Sequence, residues 1–267
     1  MLLSYIHGTT AETLREVRDC EPYLYGTLEQ DARFRRQMAK IQAEVFSFKF
    51  PLIGSLYYSE ESSDFFIGPD LNTGLGPWKT SDEYYADLAD WLQERAAGSG
   101  MVKVKESSSF LLPELASDLL RVHGEEKEGP FRLVNRDFGA HNILVDNDFN
   151  IVGIVDFDGV MAGSLEQAAQ YPTLSCMDLD PPGAVITRPL ALKRVEITRP
   201  LMEGYKQALA EYEVAQTKGT AVVASKLGTN PALMYLSMVR YAGLNSKING
   251  DWYAALERMR DQGSNSG

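Results

Sequence analysis

Three short segments rich in β-branched and apolar residues lie close together in the middle of the chain, at 131–134, 143–145 and 151–155. Such segments favour strands, and the turn-forming run 146–150 between the last two predicts a β-hairpin. The stretch 135–142, Asn-Arg-Asp-Phe-Gly-Ala-His-Asn, is too polar and too rich in turn residues to continue the first strand. The sequence therefore predicts a polar loop that follows one strand and leads directly into a hairpin.

Most of the other segments are predicted to be helical. Three helices begin with a capping box, in which a Thr is followed three residues later by Glu or Gln: Thr9 with Glu12, Thr27 with Gln30, and Thr80 with Glu83. Further helical patterns cover residues 113–123, 190–215, 231–243 and 252–260. The aromatic segments 52–58 and 65–67 predict a second hairpin, and no strand is predicted after residue 155. The fold class that follows is α+β.

The helix that begins after Thr27 carries apolar side chains at steps of three and four. They are Phe34, Met38, Ile41, Val45 and Phe48. This spacing places them on one face of a helix, so we expect the stripe to face the core.

Charge, cysteine content and hydropathy exclude several classes of protein. The 37 acidic residues outnumber the 26 basic ones, and the net charge of -11 argues against a nucleic-acid-binding surface and favours cationic ligands. Cys20 and Cys176 are too few and too far apart for a disulfide framework or a zinc cluster. No apolar run approaches the roughly 18 residues of a membrane span, and the N-terminus lacks the features of a secretory signal. We therefore predict a cytoplasmic protein with no membrane partner.

The polar loop and the hairpin carry a set of residues suited to phosphoryl transfer. Asp137 in the loop can accept the proton of an acceptor hydroxyl and hold it in line with a γ-phosphate. Asn142, five residues on, can turn its side-chain oxygen towards Mg²⁺. The second strand of the hairpin returns the chain to that point, so Asp156 can supply a carboxylate to the same ion. Taken singly, these residues are also common in turns and at strand ends.

The string Asn135 to Asn142, followed by Ile154-Val155-Asp156-Phe157-Asp158, resembles the aminoglycoside phosphotransferase-like family, which includes choline kinase and similar small-molecule kinases. The family motif reads roughly H-G-D-x-x-x-x-N and then I-D-[WFY]-[DE]. The resemblance implies that Asp137 is the catalytic base and that Asn142 and Asp156 are the metal ligands. It also implies that Asp158 is the family's second acid, with a supporting role.

Three residues of the loop depart from the family pattern. Asn135 stands where the family has His, and could still support the loop by bonding nearby backbone groups. His141 stands where glycine is usual, before Asn142. Arg136 resembles the arginine of protein kinases, and a surface cation beside the acidic pair is an equally open interpretation.

The first residues of the chain resemble the family's hinge strand, which runs along the nucleotide site. Residues 2–6, Leu-Leu-Ser-Tyr-Ile, are mostly apolar or aromatic, and Gly8 ends the run. The resemblance implies that Tyr5 and Ile6, together with Leu144 and Val155 from the hairpin, contact the nucleotide.

The expected fold is therefore protein-kinase-like, with a mainly helical C-lobe, small β-hairpins and an N-lobe largely absent. We assign residues 1–8 to a hinge strand remnant, 9–261 to the C-lobe and 262–267 to a disordered tail. The family's Gly-rich loop and phosphate-binding Lys would precede the hinge, so on this interpretation they are missing. The segment 74–80 has a glycine pair and a Lys-Thr but not the spacing of a phosphate-binding loop, and it is expected to be a solvent loop capping the next helix.

The segment 154–160, Ile-Val-Asp-Phe-Asp-Gly-Val, also resembles the nucleophile strand of haloacid-dehalogenase-like phosphatases. In that interpretation Asp156 becomes phosphorylated and Asp158 is the general acid. Such enzymes need further parallel strands downstream, whereas residues 160–267 are predicted to be predominantly helical. The alternative also gives no role to Asp137 and Asn142.

The leading hypothesis is a transferase that uses Mg²⁺ and ATP, or GTP, to phosphorylate a hydroxyl group of a small molecule. The acidic composition favours a cationic acceptor. The competing hypothesis is a non-catalytic kinase-like remnant that binds a ligand or a partner through the same cleft. The sequence leaves the acceptor and the oligomeric state open.

Overall fold

The computed structural model describes residues 6–98, 108–174, 179–184, 189–240 and 246–264. The strands are β1 (Thr9–Thr10), β2 (Lys49–Phe50), β3 (Gly54–Ser59), β4 (Asp64–Gly68), β5 (Phe131–Asn135), β6 (Ile143–Val145), β7 (Ile151–Ile154) and β8 (Val160–Gly163). The helices are α1 (Ala11–Val17), α2 (Leu28–Phe46), α3 (Ser81–Gly98), α4 (Ser108–His123), α5 (Leu165–Ala168), α6 (Pro189–Thr217), α7 (Val222–Lys226), α8 (Asn230–Arg240) and α9 (Ser246–Ser264). The predicted α+β class is confirmed.

The strands form two antiparallel sheets. The larger has the order β2-β5-β8-β3-β4, and the smaller has the order β1-β6-β7. Both predicted hairpins are present, since β3 pairs with β4 and β6 pairs with β7. The turn between β6 and β7 forms as its residues suggest, with the Asp146 carboxylate accepting hydrogen bonds from the backbone N–H groups of Asp148 and Asn150.

The capping signals located two helix starts correctly and one incorrectly. Thr27 with Gln30 forms a complete capping box for α2, and Thr80 with Glu83 does the same before α3. At α1 the cap is Thr10 rather than Thr9, because the Thr10 hydroxyl accepts the N–H of Thr13. Thr9 and Thr10 instead pair with β6, which shifts the helix start by one residue.

The predicted stripe on α2 is only partly correct. Phe34 and Met38 are fully buried, but Phe48 lies beyond the helix and is 58% exposed. Arg35 is buried on the same helix because it forms a salt bridge of 2.7 Å with Asp31 one turn earlier. At the C-terminal end of α2 the buried residues are Gln42, Ala43 and Phe46, whereas Ile41 and Val45 are only half-buried, so apolar spacing alone misplaces the inward face there.

The strand β8 was not predicted. It contains a single β-branched residue, Val160, so local propensity gives little signal. It becomes a strand because it lies between two partners, pairing with β5 from Arg132 to Asn135 and with β3 at Gly54 and Ser55. The prediction that strands end at residue 155 is therefore wrong.

Three other features differ from the sequence predictions. Helix α4 begins at Ser108, five residues before Pro113, so the proline lies inside the helix. Trp78, predicted to lie in a solvent loop, is 4% exposed, and its indole N–H donates to Asp87. Helix α9 extends to Ser264, into the segment expected to be a tail. Within the described residues, no helix has both the length and the apolar character needed to cross a membrane.

Candidate active site

The site lies where the chain crosses twice between the two sheets. The first crossing, residues 136–142, leads from β5 in the large sheet to β6 in the small sheet. The second crossing, residues 155–159, returns from β7 to β8. Because Asn135 pairs with Val160 and Ile143 pairs with Ile154, both crossings begin and end side by side. The first crossing carries Asp137 and Asn142, and the second carries Asp156 and Asp158. The strand pairing itself thus brings the two predicted segments together.

Two backbone hydrogen bonds fasten the second crossing to the first. The N–H of Val155 donates to the carbonyl of Asn142 at 3.0 Å, and the N–H of Arg136 donates to the carbonyl of Gly159 at 3.1 Å. A methyl group on Gly159 would lie 3.2 Å from the backbone nitrogen of Asp137, closer than most side chains tolerate. Glycine at this position therefore allows the close approach, and Asp156 lies between the two fastened points.

Within the first crossing, Asn142 is held against Asp137. The Asn142 Nδ2 donates to the Asp137 carboxylate at 3.0 Å and to its backbone carbonyl at 3.1 Å. Because the amide nitrogen is engaged on this side, the side-chain oxygen of Asn142 is turned away and accepts no hydrogen bond from the described residues. The oxygen is therefore available as a ligand.

The Asp137 carboxylate remains accessible to a substrate. Its side chain is 52% exposed, and the imidazole Nε2 of His141 lies 3.1 Å from Oδ1. Each carboxylate oxygen has more than one acceptor site, so these contacts leave room for a substrate hydroxyl. Sequence reasoning treated His141 only as a departure from glycine and missed this contact.

The predicted supporting residues have different roles in the structure. The side chain of Asn135 accepts the backbone N–H of Asp137 at 2.9 Å, which is the kind of backbone bond expected when Asn replaces His. Asp158 donates its own N–H to the Asp156 carboxylate at 3.3 Å, so it belongs to the turn that Asp156 closes. Asp156 has a φ of +61°, a conformation that non-glycine residues rarely adopt and that often marks functional sites.

Three of the four residues predicted to contact the nucleotide lie in the described part of the chain. Tyr5 lies outside the described residues. Ile6 and Leu144 lie together over Gly153, since a methyl group on that glycine would be 3.1 Å from Ile6 and 3.6 Å from Leu144. Residues 6–8 are not in a strand, and residues 1–5 of the predicted hinge strand lie outside the described residues. Val155 is 37% exposed next to Asp156.

The interpretation of Arg136 as a surface cation is wrong. Its guanidinium forms a 2.8 Å ion pair with Asp70, a carboxylate that is 1% exposed after β4. Asp70 also accepts the Thr73 hydroxyl at 3.0 Å. Burial opposes ionisation of Asp70, but the Arg136 guanidinium and the Thr73 hydroxyl outweigh it and hold the pKa of Asp70 below its usual value. Asp70 thereby fixes the loop next to Asp137, a link that no sequence pattern indicated.

Substituting Asp70 with Asn is expected to lower the free energy of unfolding by about 3 kcal/mol, because Arg136 would remain as a partly buried cation without its partner. Since the folded state lowers the pKa of Asp70, this stabilisation is present above the ordinary Asp pKa and is lost as the pH falls through the lowered value. The difference between wild type and variant should therefore shrink in acid. Denaturant unfolding at pH 7 and at pH 3 would measure it.

A matched control for this prediction is Glu211→Gln, which breaks a 2.7 Å pair with Arg36 whose side chains are 52% and 45% exposed. A solvated pair of this kind contributes little to stability. A loss for Asp70→Asn no larger than the loss for Glu211→Gln would contradict the role given to Asp70.

The residues present fit a magnesium ion that arrives with a nucleotide. Among the described residues, no group of three or more His, Cys, Asp or Glu side chains could hold a metal ion alone. The predicted ligands are instead one amide oxygen and one carboxylate, from Asn142 and Asp156. Mg²⁺ is commonly held by one or two carboxylates together with substrate phosphates and water, so this donor set suits a metal–nucleotide complex.

The phosphatase interpretation of residues 154–160 does not match the strand arrangement. All strand pairs in the two described sheets are antiparallel, including both pairings of β8. That class of phosphatase needs parallel strands downstream of Asp156, so the arrangement argues against it.

One family model matches more than half of the chain. The model of the phosphotransferase enzyme family (APH) matches residues 1–167, a range that includes both crossings. A solved structure described as the gentamicin–APH(2″)-IIa complex is 12% identical to the chain, with a TM-score of 0.41, and the alignment covers 95% of this chain and 69% of that one. Among curated proteins, none matches the chain significantly.

Proposed function

Because the chain belongs to the phosphotransferase enzyme family, we propose that it transfers the γ-phosphoryl group of ATP, or GTP, to a hydroxyl group of a small molecule with the help of Mg²⁺. The observation that carries this proposal is the fastening of the Asp156 turn to the Asp137–Asn142 loop by backbone hydrogen bonds at both of its ends. This fastening supports a shared site for three oxygen-bearing side chains of the kind used in kinase-like transfer.

Asp137 is the proposed general base. Its carboxylate is half exposed and fixed in orientation by Asn142 and His141, so an acceptor hydroxyl can approach and donate a hydrogen bond to it. Asp137 would align this hydroxyl with the phosphoryl group and accept its proton as transfer proceeds. Most of the rate enhancement in such reactions comes from alignment and charge stabilisation.

Asn142 and Asp156 are the proposed ligands of the metal–nucleotide complex. The amide oxygen of Asn142 has no competing hydrogen bond among the described residues, and the Asp156 side chain lies in an exposed turn. When bound, Mg²⁺ would neutralise the negative charge that develops on the phosphoryl group during transfer. Ile6, Leu144 and Val155, together with Tyr5, are proposed to contact the nucleotide.

The proposal extends to the organisation of the chain. Residues 9–261 would form a kinase-like C-lobe that follows a hinge at 1–8. The pairing of β1 with β6 supports this, since it attaches the start of the described chain to the hairpin that carries Asn142.

A second candidate function is binding of a ligand or partner without transfer. It is favoured by the exposure of Phe157 beside Asp156, since this apolar side chain is 60% exposed and the transfer reaction gives it no role.

A transfer assay separates the two functions. The purified chain would be incubated with Mg²⁺, γ-labelled ATP and, in turn, an aminoglycoside, choline and a sugar alcohol. The proposed function predicts label on a hydroxyl of at least one acceptor class, and no transfer when Mg²⁺ is removed by a chelator. Nucleotide binding without transfer to any acceptor would favour the second function, and the absence of both would contradict the two together.

A further inference from the structure

The hairpin formed by β3 and β4 carries two pairs of aromatic side chains on opposite faces. Because side chains alternate along a strand, Tyr57 and Phe66 share one face, and Tyr58 and Phe65 share the other. The centroids of the Tyr58 and Phe65 rings lie 5.2 Å apart, and these two residues are 55% and 60% exposed. Large apolar side chains that are exposed side by side often mark a binding surface.

The pair formed by Tyr57 and Phe66 has a structural role. The Tyr57 hydroxyl donates to the carbonyl of Pro69 at 3.1 Å, and a methyl group on Gly68 would lie only 2.6 Å from the Tyr57 ring. Phe66 stacks on the same ring at a centroid distance of 5.6 Å. Packing within the hairpin therefore accounts for this pair.

The pair formed by Tyr58 and Phe65 has no such role in the part of the chain that the structure describes. There the Tyr58 hydroxyl forms no hydrogen bond, and each of the two rings has only the other as an aromatic partner. A ligand that covers both rings would account for their position, since aromatic side chains contribute most when they are buried against another ring.

The exposed pair lies on the same face of the large sheet as Asn135. Ser55 on β3 is opposite Met161 on β8, and Met161 is opposite Val134 on β5, so these three side chains share one face. Tyr58 is three residues beyond Ser55, and Asn135 directly follows Val134. By alternation, both therefore point to the other face.

Asp137 is held on the side of the sheet to which Asn135 points. The Asn135 side chain accepts the backbone N–H of Asp137 at 2.9 Å. Arg136, between them, is directed to the opposite face, where its guanidinium and the Ser55 hydroxyl both contact the Asp70 carboxylate, at 2.8 and 3.5 Å. The exposed aromatic pair and the proposed base thus lie on one side of the sheet.

The surface between the proposed base and the aromatic pair is apolar. Strand β8 separates β5 from β3, so at roughly 4.8 Å per strand spacing the two are about 10 Å apart. On the shared face this interval carries Val160 of β8 and Leu56 of β3, both half-buried, with Ile67 of β4 beyond them. These aliphatic side chains offer no charge and no hydrogen bond to a ligand.

We propose that Tyr58 and Phe65 form the far wall of the acceptor site, and that the acceptor is an alcohol whose body is an apolar ring system. This inference rests on the proposed function, because Asp137 would receive the hydroxyl of the alcohol. The two rings would pack against the ring system of the acceptor, and Leu56 and Val160 would contact the part that leads to the hydroxyl. A polyhydroxylated or multiply charged acceptor would lose hydration against this surface without gaining a partner.

Calorimetric titration with 2-(2-naphthyl)ethanol tests the proposal, because binding can be measured without transfer. Phe65→Ser and Phe66→Ser are matched variants, since they remove the same ring from adjacent positions on opposite faces of β4. Covering a half-exposed Phe contributes enough that Phe65→Ser should weaken binding by about tenfold, whereas Phe66→Ser should change it by less than about twofold. Tyr58→Ser should behave like Phe65→Ser, and Tyr58→Phe, which keeps the ring, should behave like wild type.

Denaturant unfolding of each variant separates a lost contact from a damaged hairpin. Phe66→Ser removes a ring that packs within the hairpin, so it should destabilise the fold at least as much as Phe65→Ser. Where Phe65→Ser does not fold, the comparison of Tyr58→Ser with Tyr58→Phe decides. No binding by wild type, or equal losses of affinity in Phe65→Ser and Phe66→Ser, would overturn the proposal.

A transfer assay with γ-labelled ATP on the same alcohol distinguishes this inference from the proposed function. Binding with the expected pattern but no label on any alcohol would support the aromatic wall and contradict the transfer. Label on choline or a sugar alcohol, with no binding of the naphthyl alcohol, would support the transfer and contradict the aromatic wall.

Discussion

Asp137→Asn is expected to lower kcat for phosphoryl transfer by about 10²–10⁴, the usual contribution of a general base. The amide cannot accept the proton of the acceptor hydroxyl, but it has nearly the same size, and its oxygen can still meet Asn142 Nδ2. The affinity for Mg²⁺–ATP should therefore change little. Steady-state kinetics at saturating nucleotide, together with a calorimetric titration of nucleotide, would measure the two effects separately.

The control for this substitution is Asp90→Asn, on the exposed face of α3, which removes the same charge far along the chain from the loop. It should leave kcat unchanged. Full activity in the Asp137 variant, or an equal loss in both variants, would contradict the role of Asp137 as base.

Asp156→Gly is expected to weaken the Mg²⁺-dependent binding of ATP by at least about tenfold, or ~1.4 kcal/mol. The substitution removes the carboxylate proposed as a metal ligand. Glycine also adopts the φ of +61° seen at this position without the steric cost that other residues have there. The free energy of unfolding should therefore be maintained or slightly raised, so a loss of binding cannot be attributed to a damaged fold.

Two measurements on the same sample check this result: ATP titration with and without Mg²⁺, and denaturant unfolding. Asp156→Asn is a useful companion, since Asn also tolerates this backbone conformation and retains one neutral oxygen. It should give an intermediate affinity. Unchanged Mg²⁺ dependence in Asp156→Gly would show that this carboxylate does not contact the metal.

Local signals in the sequence were sufficient for much of the architecture. The capping boxes at Thr27 and Thr80 and the turn at Asp146 involve residues within four positions of each other, and each forms as expected. The hairpin formed by β6 and β7 was also predicted, because its strands are adjacent in sequence and a strong turn joins them. Contacts of this kind depend little on the surrounding fold.

Features that depend on distant contacts could not be predicted in this way. The strand β8 forms because β3 and β5 lie on both sides of it, with paired residues 106–108 and 25–31 positions earlier in the chain. The pair of Asp70 with Arg136 joins residues 66 positions apart. Neither residue has a local pattern that identifies the other, although the pair helps to fix the loop that carries Asp137.

The candidate site could be predicted from the sequence only in part. Its residue types and spacing were visible in the sequence, but their convergence depends on β5 pairing with β8 while β6 pairs with β7. That arrangement includes the unpredicted strand. The chemistry of the loop could therefore be inferred from the sequence, whereas the reason for its assembly required the structure.

Asp137, Asn142 and Asp156 are proposed to lie around one metal–nucleotide complex. Nuclear magnetic resonance of the labelled chain with Mn²⁺–ATP tests this most directly, since Mn²⁺ accepts the same oxygen ligands as Mg²⁺ and broadens nearby signals. We expect the amide signals of residues 137, 142 and 156 to broaden together, and the same broadening to need at least about tenfold more Mn²⁺–ATP in Asp156→Gly. Broadening confined to the loop or to the turn, with the other segment unaffected, would contradict the account.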